Sequence, residues 1–287
     1  MISVIGTGSM GSAIAEGLIK AGEEVTVYNR SLSKTEKLAK MGARVAESVA
    51  QAIESAEYVI VVLPDAQVTA ELLFSPQNIP ALKGARLLNV AHTTTEEIKE
   101  LARRVQEHGG RLSEVNVAVY PDPVRNREGH FNLAATSEDK ADWTVIFGKL
   151  GDHVHDVGPV GNASLAESAA WLSYMFHAVA TAYSAAAFEK LGLPSEALLS
   201  ALTDNPTLRV ASADAMLPQM EKRIYRKDSF SVDNFAYSVG LIRPEAESLG
   251  LPTKLIDGIH ELFTEASHLG FGSSDVSAVY EAIRPKS

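Results

Sequence analysis

The segment ISVIGTGSMGSAIAEGLI, residues 2–19, decides the fold. Its start, ISVIG, reads as a strand, and its end reads as a helix running through Ile19. Between them Gly6, Gly8 and Gly11 stand in G-x-G-x-x-G spacing. A strand-to-helix turn is the context in which that spacing marks a dinucleotide site. Gly6 allows the tight turn, Gly8 lets a pyrophosphate approach the backbone, and Gly11 lets helix and strand pack closely. The helix start then offers free N–H groups and positive potential to phosphates. The turn as a whole, Gly6, Thr7, Gly8, Ser9, Met10 and Gly11, is expected to hold the cofactor. A glycine turn with no ligand is the alternative.

Further strands and helices alternate beyond that turn. EVTVYN (24–29), YVIVVLP (58–64), ARLLNVAH (85–92) and SEVNVAVYP (113–121) read as strands. The stretch 93–110 begins with a capping pattern, Thr94 three residues before Glu97, and stops at two glycines. Alternation of this kind means parallel βαβ units. After about Gly158 the strands cease. Residues 162–190 read as one alanine-rich helix, followed by helical stretches near 195–204, 207–223, 229–249, 253–269 and 274–284. The expected fold is therefore α/β: an N-terminal Rossmann domain with a parallel sheet (1–158), a long interdomain helix (159–192) and an all-α C-terminal domain (193–287).

The second strand ends in VYNRSLSK, residues 27–34. An NAD site usually carries an acid here to bind the ribose hydroxyls. This chain offers Asn29, Arg30, Ser31 and Lys34 instead, and a guanidinium suits a 2′-phosphate that a carboxylate would repel. The expected cofactor is NADPH. Leu63 and Pro64 end the third strand on the edge where such sheets bind ligands; a simple turn at Pro64 would look the same.

The 287 residues are 46% hydrophobic and 22% charged, with a formal net charge of −10. That balance fits a globular chain with a sizeable core and argues against nucleic acid or an anionic membrane as partner. No apolar run reaches membrane-spanning length, and MISVIG at the start is not a secretory signal. The absence of cysteine excludes disulfides, thiolate metal sites and a cysteine nucleophile, and fits a cytoplasmic location. His153 and His155 share one face of a possible strand, as a metal pair would, although no third ligand is evident.

Between Asp156 and Glu189 the only formal charge is Glu167, in GNASLAESAAW, residues 161–171. A carboxylate in an apolar helix loses solvation and needs a reason to be there. It is either a helix-start acid set against the dipole or a group that does chemistry. Glu167, Trp171 and Tyr174 are spaced i, i+4, i+7 and share a face, with Met175 beside it.

The quoted segments together resemble the β-hydroxyacid dehydrogenase superfamily, which is 6-phosphogluconate dehydrogenase-like, and within it the imine reductases and reductive aminases. GTGSMGSAIA and YNRS look like that group's cofactor segments. NVAHTTTEE (89–97) is similar to its N-x-T-x-x-T-P segment, with Thr95 in place of the proline, and puts Asn89 and Thr94 among the cofactor residues. RLSEVNVAVYP (111–121) resembles the strand that brings an apolar-Pro pair, here Tyr120–Pro121, to the substrate edge. GNASLAESAAW resembles the start of the interdomain helix, and residues 251–283 resemble the C-terminal helices. The resemblance implies a homodimer with interlocked helical domains. At the position of Glu167 the hydroxyacid dehydrogenases carry lysine and many imine reductases carry aspartate. A second lysine of the former group falls at Tyr237.

The sign of the charge follows from the reaction. Hydride addition to a carbonyl puts negative charge on oxygen, which an ammonium stabilises. Hydride addition to an iminium neutralises a cation, which a carboxylate attracts and can supply with a proton. The expected activity is thus NADPH-dependent imine reduction of a small molecule. Glu167 and Tyr174 would be catalytic, and Tyr120, Pro121, Trp171, Met175 and Tyr237 would line the substrate pocket. The group's usual tyrosine falls at Met175, so Tyr174 stands one residue early. The alternatives are an NADPH-dependent reductase of aldehydes or keto acids and a non-catalytic NADPH-binding protein.

Overall fold

Four-residue strands of mostly buried side chains, Ile2–Ile5 (β1), Val25–Tyr28 (β2), Tyr58–Val61 (β4) and Arg86–Asn89 (β5), form the centre of one sheet. Together with Arg44–Val45 (β3), Arg111–Val117 (β6), His130–Ala134 (β7) and His153–Gly158 (β8), they make eight strands in the order β3-β2-β1-β4-β5-β6-β7-β8. The computed structural model describes residues 1–90, 92–204, 212–227 and 231–285. The chain divides into two units, Met1–Ser173 and Tyr174–Ser287.

The sheet is buried on both faces, which is why its central strands are buried nearly throughout rather than in alternation. Ile2, Val4 and Ile60 enter one buried cluster, with Ile14, Leu18, Phe131 and Trp143. Ile5, Val59 and Val61 enter the other, with Ile53, Leu73, Ile98 and Leu101. The helices that cover it include Ser9–Lys20 (α1), Glu36–Lys40 (α2), Val49–Glu54 (α3), Ala66–Leu73 (α4) and Thr95–Glu107 (α5). α5 starts with the capping box foreseen at Thr94 and Glu97. β1 pairs with β2 on one side and β4 on the other, so the sheet has its switch point at the end of β1.

Three readings of the sequence are corrected. The sheet has eight strands, not five: β3 is two residues long, β7 went unseen, and β8, offered only as a possible strand, is the polar edge. The sheet is not wholly parallel, since β7 runs antiparallel to β6. The link between them holds only the five-residue helix Pro121–Arg125 (α6). That helix rises about 7.5 Å, too little to carry the chain back along a seven-residue strand of about 23 Å. Finally, β6 stops at Val117, so Tyr120 and Pro121 do not end a strand; Pro121 opens α6 and Tyr120 precedes it. Proline's fixed φ and missing N–H suit a first helical position and not a ladder.

The amino edge of the sheet is tied by charge. Asp139, buried just before Lys140–Gly148 (α7), accepts from Arg86 at 2.6 Å and from Arg111 at 2.7 and 2.9 Å. Burial pushes its carboxyl up, but the guanidiniums of Arg111 and Arg86 outweigh that and hold it below the usual range.

The long helix Asn162–Leu191 (α8) is unbroken, and the division between the units falls within it. The second unit continues with Ser195–Thr203 (α9), Ala213–Lys222 (α10), Val232–Ser248 (α11), Lys254–Ala266 (α12) and Tyr280–Ile283 (α13). Its buried apolar cluster is small: Val232, Phe263, Ala266, Val276 and Ala278. Of the predicted helices 207–223 and 229–249, residues 207–211, 229 and 230 lie outside the described residues. The predicted helix 253–269 changes to a wide turn at Ser267–Phe271, where Gly270 takes φ 94°. The predicted stretch 274–284 divides into a 3-10 turn at Val276–Val279 and α13.

Glu281 anchors this unit's end. It accepts from Arg223 at 2.9 and 3.0 Å, from Tyr225 at 2.6 Å and from Arg284 at 2.6 Å. The Arg223 guanidinium leads in holding its carboxyl down, from an ordinary 4.5 to about 2. A depressed carboxylate stabilises the fold above its unfolded pKa and loses that contribution as pH falls through its folded one. The stabilisation is therefore expected in full above pH 4.5 and lost between 4.5 and about 2. In size it is roughly 2 kcal/mol, allowing for the exposure of the arginines. Helical circular dichroism followed from pH 6 to pH 2 should show this loss in the native chain, and Glu281→Gln should flatten it.

Candidate functional site

The carboxyl ends of β1, β2, β4 and β5 and the start of α8 all lie in the first unit, and the candidate site is built from them. At the end of β1, Gly6 takes φ 94°, and a Cβ there would lie 2.1 Å from the Val62 carbonyl oxygen. A Cβ on Gly11 would lie 1.8 Å from the Gly6 carbonyl oxygen. These two glycines are required by packing. Gly8 differs: a Cβ there would meet nothing within 4 Å. It faces open space at the N-terminus of α1, whose cap carries no side-chain hydrogen bond and whose first turn has no acid. An uncapped helix start beside an open glycine backbone fits a pyrophosphate.

The loop is held from β2. The Thr7 N–H donates to Asn29 Oδ1 at 3.1 Å, and Asn29 Nδ2 donates to the Ser31 carbonyl at 3.0 Å. The Thr7 hydroxyl donates to the Lys34 carbonyl at 3.2 Å, and Ser12 donates to the Thr7 carbonyl at 3.0 Å. Both ends of the Asn29 amide are thus engaged in shaping the turn. Ser9 is exposed and Met10 half-buried against the core. Arg30, Ser31 and Lys34 are exposed beside the turn. β4 stops at Val61, so Leu63 and Pro64 follow the strand and do not end it; Leu63 is half-buried and packs near Gly6, and Pro64 is exposed. On β5, Asn89 is buried. The Thr94 side chain is occupied in the α5 cap, where it meets Glu97.

The start of α8 is fixed by a residue the sequence reading missed. Glu114, 3% exposed in the middle of β6, accepts from Gly161 N–H at 2.5 Å and Ala163 N–H at 3.1 Å through Oε1. Its Oε2 accepts from the Ser164 hydroxyl at 2.6 Å. Because Ser164 spends its proton on Glu114, Thr93 donates in the 3.0 Å bond between the two hydroxyls. Glu114 thus satisfies orphan N–H groups at the start of α8 from inside the sheet. The signal in the sequence was a charge at an interior position of a strand, SEVNV.

One turn further along α8, Glu167 is half-buried, with 21% of its side chain exposed. Its Oε1 lies 3.1 Å from Nδ1 of His92 and accepts from Trp171 Nε1 at 3.4 Å. His92 follows the end of β5, where its backbone bridges to Asp65 beyond β4. The carboxylate therefore stands beside the sheet edge that carries the glycine turn. Trp171 is exposed, and so is Tyr120, at 85%; Pro121 is half-buried. In the second unit Tyr174, Met175 and Tyr237 are all exposed. His153 and His155 lie on the edge strand with ring centroids 6.4 Å apart, and the His130 ring is tilted against His153 at 4.2 Å. Among the described residues no group of histidines and acids is arranged to hold a metal ion, and no helix is long and apolar enough to cross a membrane.

Residues 1–158 match the NAD binding domain of 6-phosphogluconate dehydrogenase. Over 99% of its length the chain is 27% identical to glyoxylate/succinic semialdehyde reductase 1 of Arabidopsis thaliana, covering 98% of that protein. It is 23% identical to the mitochondrial 3-hydroxyisobutyrate dehydrogenase of Rattus norvegicus, over 99% of this chain and 87% of the other. In fold it is similar to an imine reductase from Myxococcus stipitatus solved with NADP+, with a TM-score of 0.85 and 23% identity over 99% of this chain and all of that one. The glycine turn, the switch point and the matched domain converge: the chain belongs to the 6-phosphogluconate dehydrogenase-like, β-hydroxyacid dehydrogenase family of nicotinamide-dependent oxidoreductases.

Proposed function

We propose that this chain is an NADPH-dependent reductase of C=N bonds in small molecules. The observation that carries the reading is Glu167, a half-buried carboxylate one turn into α8 beside the carboxyl edge of the sheet. When bound, NADPH supplies the hydride. The chain's own part is to hold the phosphates on the turn from Gly6 to Gly11 and to place a negative charge where an iminium carries its positive one. Glu167 pairs with that cation and, for a neutral imine, gives a proton to its nitrogen. The indole of Trp171, hydrogen-bonded to the carboxylate, presents an aromatic face suited to a cation.

NADPH preference rests on Arg30 and Lys34, exposed beside the turn with no acid at the end of β2. Arg30→Asp should raise the NADPH KM at least about tenfold while changing that for NADH far less. Titration of initial rates with each cofactor checks it.

A homodimer is part of this reading. Along the thirty residues of α8 only Ala163 and Ser164 are buried, while Leu172, Phe176 and Val179 are exposed. So apolar a helix needs covering on most sides, and a second copy supplies the cover. Sedimentation should give twice the chain mass of 30.7 kDa. A cytoplasmic location fits the absence of cysteine.

The relatives named for aldehyde and hydroxyacid chemistry favour a second reading, reduction of a small aldehyde or keto acid. Against it stand Glu167 and Tyr237, at the positions where the hydroxyacid enzymes carry lysines. The test is to follow NADPH oxidation with a cyclic imine such as a pyrroline, and separately with succinic semialdehyde or glyoxylate. Turnover of the imine alone supports the first reading. Turnover of the aldehydes alone supports the second, and tight NADPH binding with no turnover would make the chain a binding protein.

A further inference from the structure

His92 belongs to no role assigned above, yet its imidazole stands at the candidate site. Its Nδ1 lies 3.1 Å from Glu167 Oε1, although the two residues are 75 positions apart in the chain. The exposures differ in a directed way: the Glu167 side chain is 21% exposed and that of His92 is 70%. The pair therefore runs from a half-buried carboxylate out to water. Among the described residues, the contacts to the carboxylate from His92 and from Trp171 both use Oε1. The backbone bridge from His92 to Asp65 fixes the ring's attachment at the sheet edge. Among the described residues, acids stand by the ring: Glu167 in contact, Glu97 within electrostatic reach from α5, and Asp65 across the bridge.

We propose that His92 is a proton relay, returning to Glu167 the proton that Glu167 gives to a substrate nitrogen. The inference rests on the reading of Glu167 as the group beside the reacting C=N bond. Hydride adds to the imine carbon, the C=N π pair moves onto nitrogen, and nitrogen takes the proton of the Glu167 carboxyl. The carboxylate so formed is reprotonated through the His92 Nδ1–H, and the exposed ring takes its proton from water. The net reaction consumes one hydride and one proton and yields an amine. An N-alkylated iminium needs the hydride alone, because its nitrogen becomes neutral on addition. His92 would then matter for one substrate and not for the other.

The experiment compares a neutral cyclic imine, assayed above the pH range in which that imine protonates itself, with the N-methyl iminium salt of the same ring. His92→Gln keeps a hydrogen-bonding side chain but cannot pass a proton. It should lower the ratio of kcat for the imine to kcat for the salt by about tenfold or more, with little change in either KM. Imidazole added to the buffer should restore imine turnover in His92→Ala. Independently of activity, the 15N resonance of His92 Nδ1 should move in Glu167→Gln. An unchanged kcat ratio in His92→Gln, or loss of both substrates in equal measure, overturns the relay and leaves Glu167 its role. If Glu167→Gln itself leaves both substrates untouched, the reading beneath the relay fails instead.

Discussion

Glu167→Ala is expected to lower kcat/KM for cyclic imines by roughly 10²- to 10⁴-fold, the span of a positioned acid-base group, while NADPH affinity stays within about twofold because binding rests elsewhere. The carboxylate makes its contacts to His92 and Trp171, not to the glycine turn. Removing it takes away the charge that complements a cationic reactant and the proton a neutral imine needs. Glu167→Gln keeps the shape and removes both the charge and the transferable proton, so it tests the chemistry apart from the packing. Glu167→Lys reverses the sign, and an ammonium there would repel an iminium outright. Steady-state kinetics on the imine together with direct NADPH titration check the prediction. If alanine at this position turned over imines at the native rate, the site would have to be placed elsewhere. Because the side chain is partly exposed and its partners can turn to water, stability should change little.

Glu114→Leu is expected to destabilise the first unit by about 3–5 kcal/mol, the cost of leaving a buried, charge-assisted network half made. Three donors lose their acceptor at once: the N–H groups of Gly161 and Ala163 and the hydroxyl of Ser164. None can turn to solvent easily, since Gly161, Ala163 and Ser164 are buried. Glu114→Gln should cost less, because its carbonyl still accepts and its amide can donate to the Ser164 oxygen. Denaturant unfolding followed by fluorescence reports on this unit, since both tryptophans of the chain, Trp143 and Trp171, lie within it. Activity should fall as well, even where the variant remains folded. The Thr93–Ser164 bond, one residue after His92 and three before Glu167, locks the start of α8 beside the end of β5, and Ser164 in turn is held by Glu114. A loss of stability below about 1 kcal/mol in Glu114→Leu would mean that water or a rearranged helix start replaces the acceptor.

The charge cluster and the candidate site lie at opposite edges of the sheet. The Arg86, Arg111 and Asp139 cluster ties the starting ends of β5 and β6 to the approach of α7. The glycine turn, Leu63, Asn89 and His92 gather at the finishing ends of β1, β4 and β5. An open α/β sheet allows this division, because strands buried on both faces carry the core while the loops at the carboxyl edge are free to vary.

Residues 2–19 by themselves determined the dinucleotide turn, because its requirements are local: Gly6 must take a positive φ, and Gly11 has a carbonyl where a side chain would go. The α5 cap was equally legible, since Thr94 and Glu97 stand three residues apart and need nothing else. Glu167, the one formal charge between Asp156 and Glu189, also drew attention from the sequence alone. Only the tertiary structure decided what surrounds that charge. His92 and Glu167 are 75 residues apart, and Glu114 and Ser164 are 50 apart; no local rule pairs them. The antiparallel β7 was hidden for a related reason, since strand direction depends on how far a short link can carry the chain and not on the composition of the strand. Sterics and backbone hydrogen bonding between near neighbours set the turn and the helix starts. The pairing of a carboxylate with an imidazole exists only once the sheet has brought the end of β5 to the beginning of α8.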